Sequence, residues 1–273
     1  MCLIAVAWQV HDDYPLIVAS NRDEFFARPA APVDWWPGGR MLAGRDLRAG
    51  GTWMGVARNG RFAALTNHRD PSAQRADAPS RGGLVGDFLL DDAAPSSALA
   101  RIATTSGRYN GFNLLAAQWN SDAAGLWIVS SPGCASPVAI APGIHGLSNA
   151  RLDTPWPKVE HAVDATRRAM AESVDLDTLT DRLFGMLDDR RIAVDDRLPD
   201  TGIPRDTERA LSAAFIRMPG YGTRASTVLV VDRNGSVTFI ERRREPDVAV
   251  EQRRFVFATQ GRDARAIGSL LPI

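Results

Sequence analysis

Two apolar runs, LIAVAWQV and PLIVAS, flank the polar triplet His11-Asp12-Asp13. The triplet suits a hairpin loop, so the runs read as paired antiparallel strands. Nearly every position in both is apolar, whereas a strand with one wet face alternates. A sheet built on this hairpin must therefore be covered on both sides. The pattern recurs. TWMGVA and FAALTNH flank Arg58-Asn59-Gly60-Arg61, and STVLVVD and VTFIERR flank Asn234-Gly235. Asn-Gly is a strong two-residue turn signal. FNLLAAQW, GLWIVSS and RFVFAT add further strands.

Between these runs the spacing turns helical. Residues 80–104 place Leu84, Val85, Phe88 and Leu89 on one face, with a break near Pro95. Residues 155–173 carry Pro155 and Pro157 in a first turn and turn Val159, Ala162, Val163, Thr166 and Ala169 inward. A second helix is expected over 177–187, and a long polar surface loop over 188–208. No repeat, low-complexity tract or linker divides the chain. The order of strands, helices, strands, helices and strands predicts one α+β domain over 1–273, two antiparallel sheets packed together with helices outside.

The chain has 273 residues, 45% of them hydrophobic, enough for such a core. Lys+Arg and Asp+Glu number 32 each, so no basic excess draws nucleic acid or an anionic membrane. The expected partner is a small molecule; nothing in the sequence sets an oligomeric state. About eight apolar residues precede His11, too few for a signal peptide or a membrane span. The mature protein is expected to begin at or next to Cys2. With only Cys2 and Cys134 there is no disulfide framework, and the cytoplasm is the natural compartment. Cys134 reads as a loop thiol without a role. Four scattered histidines show no metal-ligand spacing, and no glycine-rich phosphate loop appears, so neither metal nor cofactor is expected.

The hairpins bring polar groups to strand ends. The first places Cys2 opposite Arg22 within ASNRDEFFARP. With Asn-Gly turns, the second places Thr52 opposite Asn67 and the third Arg224 opposite Glu245. If Met1 is removed, the Cys2 thiol gains its own α-amine as a base, the arrangement known for N-terminal threonine nucleophiles. An α-amine titrates near roughly 8 and a thiol near about 8.5, which matches them for proton transfer. Arg22 would favour the thiolate, Asp23 would orient the ammonium, and an asparagine amide would donate to an oxyanion. Each residue also has a structural explanation. Cys2 can be a small core hydrophobe, Asn21-Arg22-Asp23-Glu24 an Asx turn with a surface ion pair, Asn67 a loop cap, and Arg224 a cross-strand partner of Glu245.

The blocks MCLIAVAW, SNRDEFFARP, GRD followed by GGTWMG, ALTNHRD and GLSNARLDTPWPK resemble the NRDE family, also called the Transport and Golgi organisation protein 2 family. More distantly the pattern is similar to the N-terminal nucleophile hydrolases of the choloylglycine hydrolase and penicillin V acylase group. That resemblance implies a four-layer αββα sandwich. It implies Cys2 as nucleophile, Arg22 and Asp23 beside it, Asn67 and Asn149 at the oxyanion site, and Arg224 as the distal arginine. Arg22 and Asp23 are adjacent here, whereas their counterparts in the hydrolases are separated. Asn21, Glu24, Trp35, Trp36 and Trp53 are the expected ligand-contacting residues, with the tryptophans lining an apolar acyl pocket.

Two functions follow from the resemblance. One is hydrolysis of a non-peptide C–N amide bond in a small molecule. The other is a non-catalytic carrier or chaperone for an apolar anionic ligand such as haem or an acyl-CoA, since animal members of the family are linked to haem trafficking and lipid metabolism.

Overall fold

The computed structural model describes residues 2–133, 136–246 and 249–260; Met1 and Cys134, and the expectations placed on them, lie outside these. The first hairpin is β1 (Cys2–Trp8) and β2 (Leu16–Phe25), followed by β3 (Ala30–Trp35), β4 (Met41–Asp46), β5 (Met54–Ala57) and β6 (Arg61–Asn67). Helices α1 (Gly83–Leu90) and α2 (Pro95–Thr105) lead to β7 (Phe112–Gln118), β8 (Gly125–Ser131), β9 (Val138–Ile140) and β10 (Gly143–Leu147). Then come α3 (Pro157–Glu172), α4 (Leu176–Leu187), α5 (Arg205–Ala210), β11 (Arg217–Met218), β12 (Tyr221–Val231), β13 (Ser236–Arg243) and β14 (Glu251–Ala258).

The strands form two antiparallel sheets, ordered β10-β1-β2-β12-β13-β14 with β11 on β12, and β3-β4-β5-β6-β7-β8-β9. Alternation along each strand decides what each sheet face meets. Ile4, Val6, Leu16 and Val18 of the first sheet pack against Phe62, Ala64, Leu115 and Ala117 of the second. The intervening residues Leu3, Ala5, Ile17 and Ala19 meet Val159, Ala162, Leu183 and Leu187 of α3 and α4. On the far side, Ala63, Leu114 and Ala116 meet Leu84, Val85, Phe88 and Leu99 of α1 and α2. The result is the expected αββα sandwich. Its covered sheets explain the continuous apolar runs. β14, at a sheet edge, instead alternates exposed and partly buried residues.

The first hairpin has the expected register, with Cys2 opposite Arg22. The other two are shifted by one residue. Ala57 pairs with Arg61 and Val231 with Val237, so both loops end on a glycine, Gly60 at φ +78° and Gly235 at φ +76°. Each reads Arg-Asn-Gly. A turn closed by a left-handed glycine accommodates one more residue than the Asn-Gly pair alone. The β5–β6 ladder ends at Met54 opposite Ala64, so Thr52 lies outside it, and Asn67 pairs with Phe112 of β7 on the other side of β6. Strands β3, β4, β9 and β10 were not expected; they are short or interrupted by glycine. The loop over 188–208 holds a 3-10 turn and the start of α5.

Candidate active site

At one end of the sandwich the first residue of β1 pairs with the polar SNRDE segment that ends β2. Cys2 shares the inter-sheet face of β1 with Ile4 and Val6, and its partner Arg22 shares the equivalent face of β2 with Val18. The next residue, Asp23, falls on the opposite face with Ile17 and Ala19, toward the helices. Adjacency in sequence therefore sends the arginine and the aspartate to two sides of one strand. The strand end where they sit is paired with the start of β1, so the two flank Cys2 from either side of the sheet.

Burial pushes the Cys2 thiol up, and the Asp23 charge adds to that; the Arg22 charge and a hydrogen bond from the Asp23 backbone N–H pull it down. The last two favour a thiolate. The Ser148 hydroxyl donates to the Cys2 carbonyl at 3.0 Å and pins the strand end. The Arg22 guanidinium lies 4.1 Å from the centroid of the Trp53 ring, and burial lowers its pKa. Asp23 is fully buried and its carboxyl is pushed up by desolvation, against the Lys158 charge, which pulls it down. Thr223 donates its hydroxyl to Asp23 Oδ1 at 2.7 Å, and the Thr223 hydroxyl oxygen in turn accepts the Ile216 N–H at 2.9 Å.

Cys2, Arg22, Asp23, Glu24, Trp53 and Asn67 line one cavity of about 100 Å³. Asn149 stands behind it. Its side chain donates to the Asn67 carbonyl at 2.9 Å, and its own carbonyl accepts the Arg69 N–H at 2.7 Å. It holds Asn67 and is not part of the cavity wall.

Besides Asn149, four expected site residues lie outside the cavity wall, with clear reasons. Asn21 points to the helix layer and donates to the carbonyls of Leu187 at 2.7 Å and Ala214 at 2.8 Å, tying β2 to the end of α4. Trp35 packs on Phe257 with centroids 4.8 Å apart and carries Arg58 above its ring at 4.1 Å. Trp36 donates its indole N–H to the Ala43 carbonyl at 3.1 Å. Of the three tryptophans only Trp53 reaches the cavity. Arg224 does pair with Glu245, and it also donates to the carbonyls of Phe25 and Arg28. It braces the turn after β2 behind Arg22.

Three basic residues at the site were not singled out in the sequence: Arg28, which lines the cavity and pairs with Asp46 at 2.7 Å, Arg81 and Lys158. Arg81 lines the cavity from the segment before α1, donates to the Gly111 carbonyl at 2.8 Å, and interacts electrostatically with Glu24 and Cys2. Its position depends on close backbone approach: a Cβ on Gly51 would sit 2.5 Å from the carbonyl carbon of Gly82. Lys158, in the first turn of α3, is buried on the helix side beside Asp23. Its spacing of four from Ala162 puts it on the inner face, a signal present in the periodicity.

The family model described as Transport and Golgi organisation 2 matches residues 1–246. The chain belongs to this family. The Transport and Golgi organization protein 2 homolog of Bos taurus is 39% identical over 243 residues, covering 84% of this chain and 86% of the relative. The human homolog is 38% identical over 246 residues with the same coverage, and the Drosophila melanogaster protein 29% over 252. Among solved structures, a Caenorhabditis elegans N-acylethanolamine-hydrolyzing acid amidase ortholog overlaps at a TM-score of 0.41 and 12% identity, covering 84% of this chain and 92% of that one. That overlap is too loose to bear on the chemistry. In this Transport and Golgi organisation 2 family member, the blocks that carry the resemblance fall on β1, the end of β2, the connection from β4 to β5, the end of β6, and the connection from β10 to α3. All five segments meet around Cys2.

Proposed function

We propose that this protein is an N-terminal-cysteine amidohydrolase that cleaves a non-peptide C–N amide bond in a small molecule. The observation carrying the reading is the convergence of Cys2, Arg22 and Asn67 on one cavity, with the Asp23 N–H at the thiol. Removal of Met1 is part of the proposal, because it turns the Cys2 nitrogen into a free amine.

The amine takes the thiol proton, and the thiolate attacks the amide carbon, forming the C–S bond as the carbonyl electrons move to oxygen. Asn67 donates to that oxyanion, held in place by Asn149. The C–N bond then breaks, and the α-ammonium passes its proton to the leaving amine. Water attacks the thioester, the amine takes its proton, and the thiol is regenerated as the acid leaves. A cavity of about 100 Å³ is well below the roughly 300–1,000 Å³ of sites that bury a drug-sized ligand. It admits the scissile group, and the remainder of the substrate lies outside it. The thiol chemistry suits a reducing compartment, and the cytoplasm belongs to this reading.

The test is a screen of N-acyl amides with the wild type, Cys2→Ala and Asn67→Ala. Turnover lost in Cys2→Ala and reduced about 10²–10³-fold in kcat for Asn67→Ala supports the reading. Equal rates in wild type and Cys2→Ala contradict it.

One observation favours a carrier instead. Among the described residues, neither Arg22 nor Arg81 has a carboxylate within ion-pair distance, so both are available to an anionic group. Haem or acyl-CoA binding that survives Cys2→Ala, with no amide turnover in either form, would select it.

A further inference from the structure

A guanidinium has more N–H donors to satisfy than any other side chain, and it does not shed its charge when buried. Arg22 is only 6% exposed. Among the described residues, no protein acceptor lies within hydrogen-bond distance of its guanidinium. Its partner is the face of Trp53, 4.1 Å away, which answers the charge and accepts none of the N–H groups through a lone pair. A buried charge whose hydrogen bonds are unmade is costly for a fold to keep. The open side of the group is the cavity it shares with Cys2, so its acceptors must enter there.

Arg81 faces the same cavity from the second sheet's helix layer. It donates to the Gly111 carbonyl at 2.8 Å, and among the described residues no carboxylate lies within ion-pair distance of it. The acids on the cavity wall are engaged. Arg28 holds Asp46 at 2.7 Å, Glu24 accepts the Phe25 N–H at 2.9 Å and reaches Arg28 at 3.9 Å, and Asp23 accepts the Thr223 hydroxyl at 2.7 Å. Two positive charges therefore remain for whatever enters. In the proposed chemistry Arg22 answers the Cys2 thiolate, which leaves Arg81 for a second negative group. The backbone beside Arg81 favours the same sign. Gly82 lies on the cavity wall at the N-terminus of α1, a helix end without a side-chain cap, where an anion is favoured. One uncompensated charge suits a carboxylate better than a dianionic phosphate, and the planar fork of a guanidinium matches a carboxylate with two parallel N–H groups.

We infer that Arg81 is the specificity-determining residue of the Cys2 cavity: with Arg22 it holds a carboxylate that the substrate carries within a few bonds of its scissile amide. The cavity of about 100 Å³ admits these two small groups together and leaves the rest of the substrate outside. The consequence for turnover rests on the reading of Cys2 as nucleophile; the carboxylate site itself does not.

Three small amides of similar size test it. N-ethylbutyramide is uncharged, N-ethylsuccinamate carries a carboxylate on the acyl side, and N-butyrylglycine carries one on the amine side. Calorimetric titrations in Cys2→Ala read binding without chemistry. One of the charged amides should bind about tenfold or more tightly than N-ethylbutyramide, and adding Arg81→Gln should abolish that preference. The charged amide that is preferred identifies the side of the scissile bond on which the carboxylate belongs. Equal binding of all three amides, or a preference that survives Arg81→Gln, overturns the inference. Glutamine keeps an N–H for the Gly111 carbonyl. If Arg81→Gln does not fold, Arg81→Lys replaces it, keeping the charge and losing the fork; an undiminished preference there overturns the inference too.

In turnover, the ratio of kcat/KM for the preferred charged amide to that for N-ethylbutyramide should fall about tenfold or more in Arg81→Gln. An equal fall for all three amides marks a merely structural arginine and overturns the inference. A carboxylate preference in binding, without turnover of any amide, would sink the hydrolase reading and leave the site standing. Turnover without that preference would do the reverse.

Discussion

The guanidinium of Arg22 lies 4.1 Å above the ring of Trp53, so the arginine of the first sheet is held by an aromatic residue leading into the second. This contact spans the mouth of the sandwich and fixes the charge beside Cys2. A planar guanidinium stacks where a compact, strongly hydrated ammonium does not. Arg22→Lys should therefore cost about 0.5–2 kcal/mol in urea unfolding and slow alkylation of Cys2 by iodoacetamide at pH 7. Unchanged alkylation in a folded Arg22→Lys would show that stacking on Trp53 does not set how the charge acts on the thiol.

The ion pair between Arg69 and Glu208, at 2.6 Å, is 6% and 2% exposed. Breaking one partner strands the other charge in the interior. Arg69→Met should destabilise by about 3–5 kcal/mol, and adding Glu208→Leu should recover much of that loss. A double variant no more stable than the single one would show that packing of Arg69 on Trp156, not its charge, is what matters.

Burial pushes Glu241 up to about 7, while the Val33 N–H and Arg22 act to keep it ionised. In the unfolded chain a glutamate releases its proton near about 4.3. Between these two values the folded state holds the extra proton. Stability from this group therefore falls as pH rises and levels off above 7. Glu241→Gln keeps an acceptor for Val33 and removes the titration. Relative to wild type it should gain roughly 2–3 kcal/mol on going from pH 4 to pH 8 in urea unfolding. A constant difference between the two proteins across that range contradicts the assignment.

Gly51 and Gly82 pass in direct backbone contact, and Thr52 donates its N–H to the Gly82 carbonyl at 3.1 Å. A methyl group at Gly51 cannot fit without moving the segment that presents Arg81. Gly51→Ala should cost about 1–3 kcal/mol. It should also weaken any anionic ligand or substrate bound at the cavity, whereas Gly83→Ala, with open space around it, should leave binding intact.

Much of this arrangement was legible in the sequence where apolar patterning and hairpin length act together. The first hairpin alone put Cys2 opposite Arg22, and the doubly apolar runs required covered sheets. The other hairpins slipped by one because Asn-Gly serves two loop lengths, and only the three-dimensional closure selects the one with glycine left-handed. Trp35 and Trp36 were misplaced for a different reason. Tryptophan beside glycine suits both a ligand pocket and a packing anchor, and β3 was not visible as a strand. Lys158 was hidden by the expectation that lysine faces water.

The central claim is that Cys2, with its amine exposed, is an acyl-accepting nucleophile. The most direct measurement is the intact mass of the untagged protein before and after brief exposure to a p-nitrophenyl acyl ester. The account predicts a starting mass lacking one methionine, and after exposure one added acyl group that peptide mapping places on Cys2 and that Cys2→Ala does not acquire. A polypeptide that retains Met1, or that acquires the same acyl group in Cys2→Ala, would contradict it.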